Sequence, residues 1–179
     1  MMSFDFDKLV NREGTLSYKW DVGEDVLPMW VADMDFETPS CVKEALQGVL
    51  DGGVYGYNFI PDNYFPTIVQ WLKEKQKWEV EQQWLTFIPG IVKGIGYAIN
   101  FFTEEGDGII VQPPVYPPFI NVPKGNDRKL VFNPLIRVED ENGGTYRMDF
   151  DNLRKIGESG ECSMLILSNP HNPGGIAWD

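Results

Sequence analysis

A run of apolar residues that breaks into a rigid, glycine-ended loop most constrains how this chain can fold. Met164, Leu165, Ile166, Leu167 and Ser168 read as a buried strand, followed by Asn169-Pro170-His171-Asn172-Pro173-Gly174-Gly175. Proline fixes its own φ and pushes the preceding residue out of helical geometry, so each asparagine is held in an extended pose past the strand's end. Two more apolar runs, residues 108–111 and 129–132, have strand length, and helical patterns lie among them. Strands alternating with helical segments predict an α/β fold with a mostly parallel sheet flanked by helices. In open sheets of this kind ligands bind outside the carboxyl ends of the strands. An amide such as that of Asn172 is therefore well placed to make one aimed hydrogen bond.

The remaining elements follow from periodicity and breakers. Residues 84–88 predict a strand, and residues 90–102 a helix with Ile91, Ile95, Ala98, Ile99 and Phe102 inward. Residues 149–156 predict a short helix. Upstream, a first helix starts with Thr38 or Ser40 as cap and Pro39 in its first turn. It presents Val42, Ala45, Leu46, Val49 and Leu50 on one face and ends at Gly52-Gly53. A second begins near Asp62 and runs past Pro66, with Ile68, Val69, Trp71 and Leu72 as its apolar side. Residues 1–37 predict an irregular arm bearing Phe4, Phe6, Tyr18, Trp20, Trp30 and Phe36, which packs on another domain or subunit. A boundary is expected near residues 52–60.

Composition narrows the partners. At 179 residues the chain can bury one sizeable core, or one core and an appendage. A formal charge of −12 argues against nucleic acid and anionic membranes, although local amide dipoles can still hold an anion. Cys41 and Cys162 lie far apart with no His/Cys cluster, which argues against a disulfide framework or a zinc site. The first residues have no basic stretch and no apolar core, and no run reaches transmembrane length. A cytoplasmic protein with no metal is expected.

Four stretches carry potential chemistry. In Phe87-Ile88-Pro89-Gly90-Ile91-Val92-Lys93-Gly94 a strand is predicted to pass into a helix, whose first amides lack internal partners and favour an anion such as phosphate. A plain strand-to-helix turn explains the motif equally well, and neither a Rossmann nor a P-loop fingerprint is present. Gln112-Pro113-Pro114-Val115-Tyr116-Pro117-Pro118-Phe119 stiffens a loop that presents Tyr116, either to stack on a planar ligand or to plug the core. Tyr55-Gly56-Tyr57 places two phenols beside a flexible residue, or is simply a turn. Asp33 and Asp35, in Met29-Trp30-Val31-Ala32-Asp33-Met34-Asp35-Phe36, suggest a metal pair, but no further ligand is near and a chain crossing buried ground is preferred. His171 has no Ser or Cys partner in a triad pattern. Ser40-Cys41-Val42-Lys43 reads as a capping serine and a solvated lysine.

Together these pieces resemble the fold-type I pyridoxal-phosphate (PLP) enzymes, and more narrowly the aminotransferase-like C–S lyases of the cystathionine β-lyase branch. The matching stretches are Leu27 to Phe36, Tyr55-Gly56-Tyr57, Pro89-Gly90-Ile91-Val92, Gln112 to Tyr116 with Phe119, and Asn169-Pro170-His171-Asn172-Pro173 with Gly175. They fall in the family's order across almost the whole chain. The resemblance implies the PLP-dependent transferase-like large domain, incomplete, preceded by an arm. Residues 1–52 would be the arm and part of a small domain, and residues 53–179 the first part of the PLP-binding domain.

It also implies roles. Asn172 would donate to the ring hydroxyl oxygen of pyridoxal 5'-phosphate, and Tyr116 would stack on its pyridine face. The amides of Gly90, Ile91 and Val92 would hold its phosphate. Tyr57 would reach the cofactor of a neighbouring subunit, making a homodimer. Trp30, Val31 and Ala32 would line the amino acid substrate. The cofactor's ring would serve as the electron sink for β-elimination from sulfur amino acids, or for amino-group transfer if the enzyme is instead an aminotransferase. Pro117 and Lys93 depart from the family pattern. The Schiff-base lysine, the aspartate at the pyridine nitrogen and the carboxylate-binding arginine are expected beyond Asp179, so the chain by itself is expected to be inactive. A non-catalytic α/β binding or split-assembly module is the remaining alternative.

Overall fold

In a computed structural model of the chain, which describes residues 5–23, 25–139, 141 and 143–178, the three predicted runs pair as one sheet. Strands β1 (Gly108–Val111), β2 (Lys129–Phe132) and β5 (Cys162–Leu165) take the order β2-β1-β5, all parallel. Central β1 is buried along its whole length, as a strand covered on both faces must be. The expectation of a parallel α/β fold holds. Strands β3 (Ile136–Val138) and β4 (Thr145–Arg147) form a separate antiparallel hairpin that periodicity did not predict. The chain divides into two compact units, residues 1–64 and 65–179. Of the residues discussed above, Phe4 and Asp179 lie outside the described set.

The second unit holds the sheet. Helix α3 (Ile91–Phe102) leads into β1 through a short turn. Ile99 is fully buried and packs with Ile109, Val111 and Ile166, with Ile95, Phe119 and Val122 around them. Arg128 closes the helix's carboxyl end: its guanidinium donates to the Thr103 carbonyl at 2.6 Å and hydroxyl at 3.0 Å, and to the Asn126 carbonyl at 2.5 Å. That end lies by the start of β1, where the Lys129 amide donates to the Asp107 carbonyl at 2.9 Å. Twelve residues of helix span about 18 Å, so α3 runs antiparallel to β1 and its first turn points to the carboxyl edge of the sheet. Helix α5 (Phe150–Glu158) is capped by the Asp149 carboxylate, which accepts from the Asn152 amide at 3.0 Å. Buried Gln112 donates to Asn133 at 2.8 Å, and Asn133 to Asn152 at 2.9 Å, tying α5 to the sheet.

Several local expectations are corrected. Residues 84–88 are not a strand: a 3-10 turn, Gln82–Trp84, is followed by irregular backbone. A strand needs a neighbour to take its hydrogen bonds, and here Leu85 and Gly90 bond locally to Gln82 and Ile88 instead. Strand β5 begins two residues earlier than predicted and ends at Leu165, where its pairing with β1 stops at Ile110; Ile166 makes the last cross-strand bond, to Ile110 at 3.0 Å. The proline-rich loop turns helical at α4 (Pro118–Gly125), since proline is tolerated in a first turn whose amides have no internal partner.

The first unit holds the arm and helix α1 (Ser40–Asp51). Pro39, not a side chain, occupies the cap position, and its carbonyl accepts from Val42 and Lys43. Helix α2 (Tyr64–Gln76) starts at the division between the units. No helix among the described residues is long and apolar enough to cross a membrane.

Candidate functional site

The carboxyl edge of the sheet carries two loops that are hydrogen-bonded to each other. One leaves β1 at Gln112 and the other follows β5. The Tyr116 amide donates to the Asn172 carbonyl at 3.0 Å, so the two residues singled out from sequence sit side by side. The Tyr116 ring is 41% exposed and meets Phe119 edge-on, with centroids 6.2 Å apart. Phe119 packs on the core, so the partly exposed tyrosine is braced by a ring that is itself held in place.

The Asn172 loop is a closed structure with His171 at its centre. The His171 amide donates to the Ile176 carbonyl at 2.6 Å, and its carbonyl accepts from Gly175 at 2.8 Å. His171 Nδ1 accepts from the Gly174 amide at 3.2 Å, which places the ring proton on Nε2. The imidazole is 3% exposed and packs edge-on against Trp178 at 5.5 Å. Trp178 Nε1 in turn donates to the Ser168 carbonyl at 2.9 Å, and the Ser168 hydroxyl accepts from the Asn172 amide at 3.2 Å. His171 is thus a buried brace of the loop rather than a solvent-facing residue. Asn172 is exposed, and its backbone is held on both sides, by Ser168 at its amide and by Tyr116 at its carbonyl.

The start of α3 supplies donors. Gly90 has φ +107° and ψ 144°, a region L-residues rarely enter, and this lets the chain turn sharply from Pro89 into the helix. Gly94 makes the first α-type bond, back to Gly90 at 3.0 Å. The amides of Ile91, Val92 and Lys93 precede that bond and have no intrahelical acceptor; all three residues are exposed. The positive end of the helix dipole adds to their pull on an anion.

In the first unit, Trp30, Val31 and Ala32 lie in an irregular segment whose following acidic residues are bound by cations. Arg12 donates to Asp33 at 2.7 Å and to Asp35 at 2.8 Å. Lys19, 7% exposed, donates to the Asp33 carbonyl at 2.8 Å and to Asp35 at 2.6 Å. Trp20 Nε1 donates to Asp35 at 2.9 Å. The Lys19 bond, then those of Trp20 and Arg12, hold the Asp35 carboxyl down to about 2. Asp33 and Asp35 therefore bind side chains of their own unit, which accounts for this acidic pair without a metal. The roles of Arg12 and Lys19 were missed from sequence: charges on irregular chain have no period, and the stretch before the acidic pair is itself rich in acidic residues, so nothing local singles out these two cations. Tyr57 is fully exposed within its unit. Lys43 pairs with Glu37 at 3.0 Å at the helix surface, as a solvated lysine should.

A parallel α/β sheet thus carries an aromatic ring, an exposed asparagine and a helix start with free amides, the chemistry that a flat, anionic ligand would need. The profile of the family "Aminotransferase class I and II" matches residues 24–179, and the chain belongs to that family. It is 41% identical over 179 residues to "Cystathionine beta-lyase PatB" of Bacillus subtilis, covering 97% of this chain and 45% of that protein. It is 30% identical to "Protein MalY" of Escherichia coli, covering 98% and 46%. Among solved structures, cystalysin from Treponema denticola, which contains a pyridoxal 5'-phosphate cofactor, superposes with a TM-score of 0.87 at 33% identity, covering 99% of this chain and 46% of that one. The PLP-bound C–S lyase from Staphylococcus hominis gives 0.85 at 33%, covering 98% and 45%. The chain spans about half the length of the curated relatives it matches.

Proposed function

We propose that this chain is the amino-terminal part of a pyridoxal-phosphate-dependent C–S lyase of the cystathionine β-lyase type, acting by β-elimination on sulfur amino acids. The observation that carries the reading is the 3.0 Å bond between Tyr116 and Asn172, which joins a stacking face and a donor amide at one sheet edge. The residues fit the cofactor. The amides of Ile91 and Val92, with Gly90 giving the sharp entry, would take its phosphate. Tyr116 would cover its ring, and the Asn172 side chain would donate to its ring oxygen. When bound, the cofactor supplies an electron sink for negative charge at the substrate's α-carbon. The chain's own residues would bind, orient and shield it: the tyrosine would exclude water from one ring face, and the asparagine side-chain N–H would donate a hydrogen bond to the ring oxygen, favouring its unprotonated form.

Residues 53–179 would then be the first part of the cofactor-binding domain, and residues 1–52 the arm with part of a small domain. Trp30, Val31 and Ala32 would form the substrate side. Full exposure of Tyr57 supports its reaching a second subunit's cofactor in a homodimer, and the setting proposed is the cytoplasm. The test uses the full-length protein with pyridoxal phosphate and cystathionine. Visible absorbance from bound cofactor, with release of pyruvate and no need for a keto acid, is expected. Amino transfer to a keto acid without pyruvate would instead make it an aminotransferase, and no cofactor binding at all would sink both readings.

A further inference from the structure

We propose that Lys19 and Arg12 are positioning residues that set the pose of the substrate-side segment Trp30-Val31-Ala32. This rests on the proposed substrate role of that segment. The geometry is specific. Lys19 holds the segment at both of its ends: its carbonyl accepts from Trp30 Nε1 at 3.3 Å, and its ammonium donates to the carbonyl of Asp33, the residue after Ala32, at 2.8 Å. The Tyr18 ring meets Trp30 edge-on at 4.8 Å, on the same stretch of chain. Arg12 then fixes the downstream side by bridging Asp33 and Asp35.

Stability is a poor explanation for so many charges. Asp33 and Asp35 keep 43% and 38% of their side-chain surface exposed, and ion pairs open to water contribute little net. Burying Lys19 to 8% side-chain exposure costs solvation that a hydrophobic residue would not incur. What the network does supply is direction: every donor is charged or an indole N–H, and each bond meets an acceptor on residues 33–35 or 17–19. A three-residue segment without secondary structure has no ladder to hold it, so this cross-linking is what gives it one conformation. A segment held in one pose before substrate arrives loses less entropy on binding.

The test uses the full-length, cofactor-loaded protein with Lys19→Met, which keeps the length and removes the charge, and the milder Asp35→Asn. We expect KM for the amino acid to rise about tenfold and kcat to stay within about twofold, as for loss of binding shared by ground and transition states. The visible cofactor absorbance should not change. Arg12→Lys, which keeps one contact but cannot bridge both carboxylates, should fall between wild type and Lys19→Met. A second readout needs no activity: acrylamide quenching of Trp30, obtained by difference against Trp30→Phe, should increase in each variant. Unchanged KM with unchanged quenching overturns the proposal. So does loss of cofactor in all three variants, which would make the network a general tie of the fold. Should wild type neither bind cofactor nor release pyruvate, the lyase reading fails, while the quenching arm still decides whether the clasp orders Trp30.

Discussion

Replacing Gly90 by alanine should strike the proposed anion site through the backbone alone. An added Cβ there meets nothing within 4 Å, so the substitution creates no clash. Its cost is conformational: φ +107° with ψ 144° is nearly closed to residues with a side chain. Holding alanine in such a pose costs about 1–3 kcal/mol. At one decade per 1.4 kcal/mol, that is roughly a 5- to 150-fold loss in the population of the native loop. The loop relaxes by rotating about Gly90, and that rotation re-aims the Ile91 and Val92 amides. Titration of the full-length apoprotein with pyridoxal phosphate, followed by visible absorbance, should show a loss of affinity within that range. The control is Gly96→Ala in the middle of the same helix, where the Cβ would sit at an ordinary 3.6 Å from Val122. It should keep full affinity and gain about 0.5–1 kcal/mol of stability, as alanine does in a helix interior. If Gly90→Ala binds cofactor as wild type does, the link between this φ and the phosphate donors is wrong.

Three further outcomes are expected. Gly174→Ala would bring a Cβ to 2.7 Å from His171 Nδ1, and a ring this buried has nowhere to go, so the loss is about 1–3 kcal/mol in denaturant unfolding, partly recovered in the His171→Ala background. Arg128→Met would strip donors from the Thr103 and Asn126 carbonyls and should cost about 1–3 kcal/mol by the same measurement, with Arg128→Lys closer to wild type. Asp35 has its carboxyl lowered from an ordinary 3.8 to about 2, so its contribution is present above the ordinary value and is lost as pH falls from there toward the folded one. Tryptophan emission followed through that window should show an acid step in wild type that is missing from Asp35→Asn.

Much of the site was legible because its signals are local. Proline and glycine act on their own and neighbouring backbone, so Pro89-Gly90 and the Asn-Pro pairs mark sharp entries wherever they occur. Tyr116 and Asn172 could be nominated from their place after apolar runs, because strand ends and ligand edges coincide in parallel sheets. His171 was less legible. Nothing in its neighbours says that the Gly174 amide and Trp178 enclose it.

By itself the sequence determined that the chain is parallel α/β, that α1, α2, α3 and α5 are helical, and which residues stand at the sheet's carboxyl edge. Those properties depend on apolar spacing over a few residues and on stiff dihedrals. The tertiary structure decided the rest. It denied residues 84–88 a strand for want of a neighbour, and ended β5 at Leu165, where its pairing with β1 stops. It also set Tyr116 against Asn172 and Lys19 against Asp35. A hydrogen bond or ion pair between distant residues depends on where folding delivers both ends, and pattern along one stretch of chain carries no record of the other.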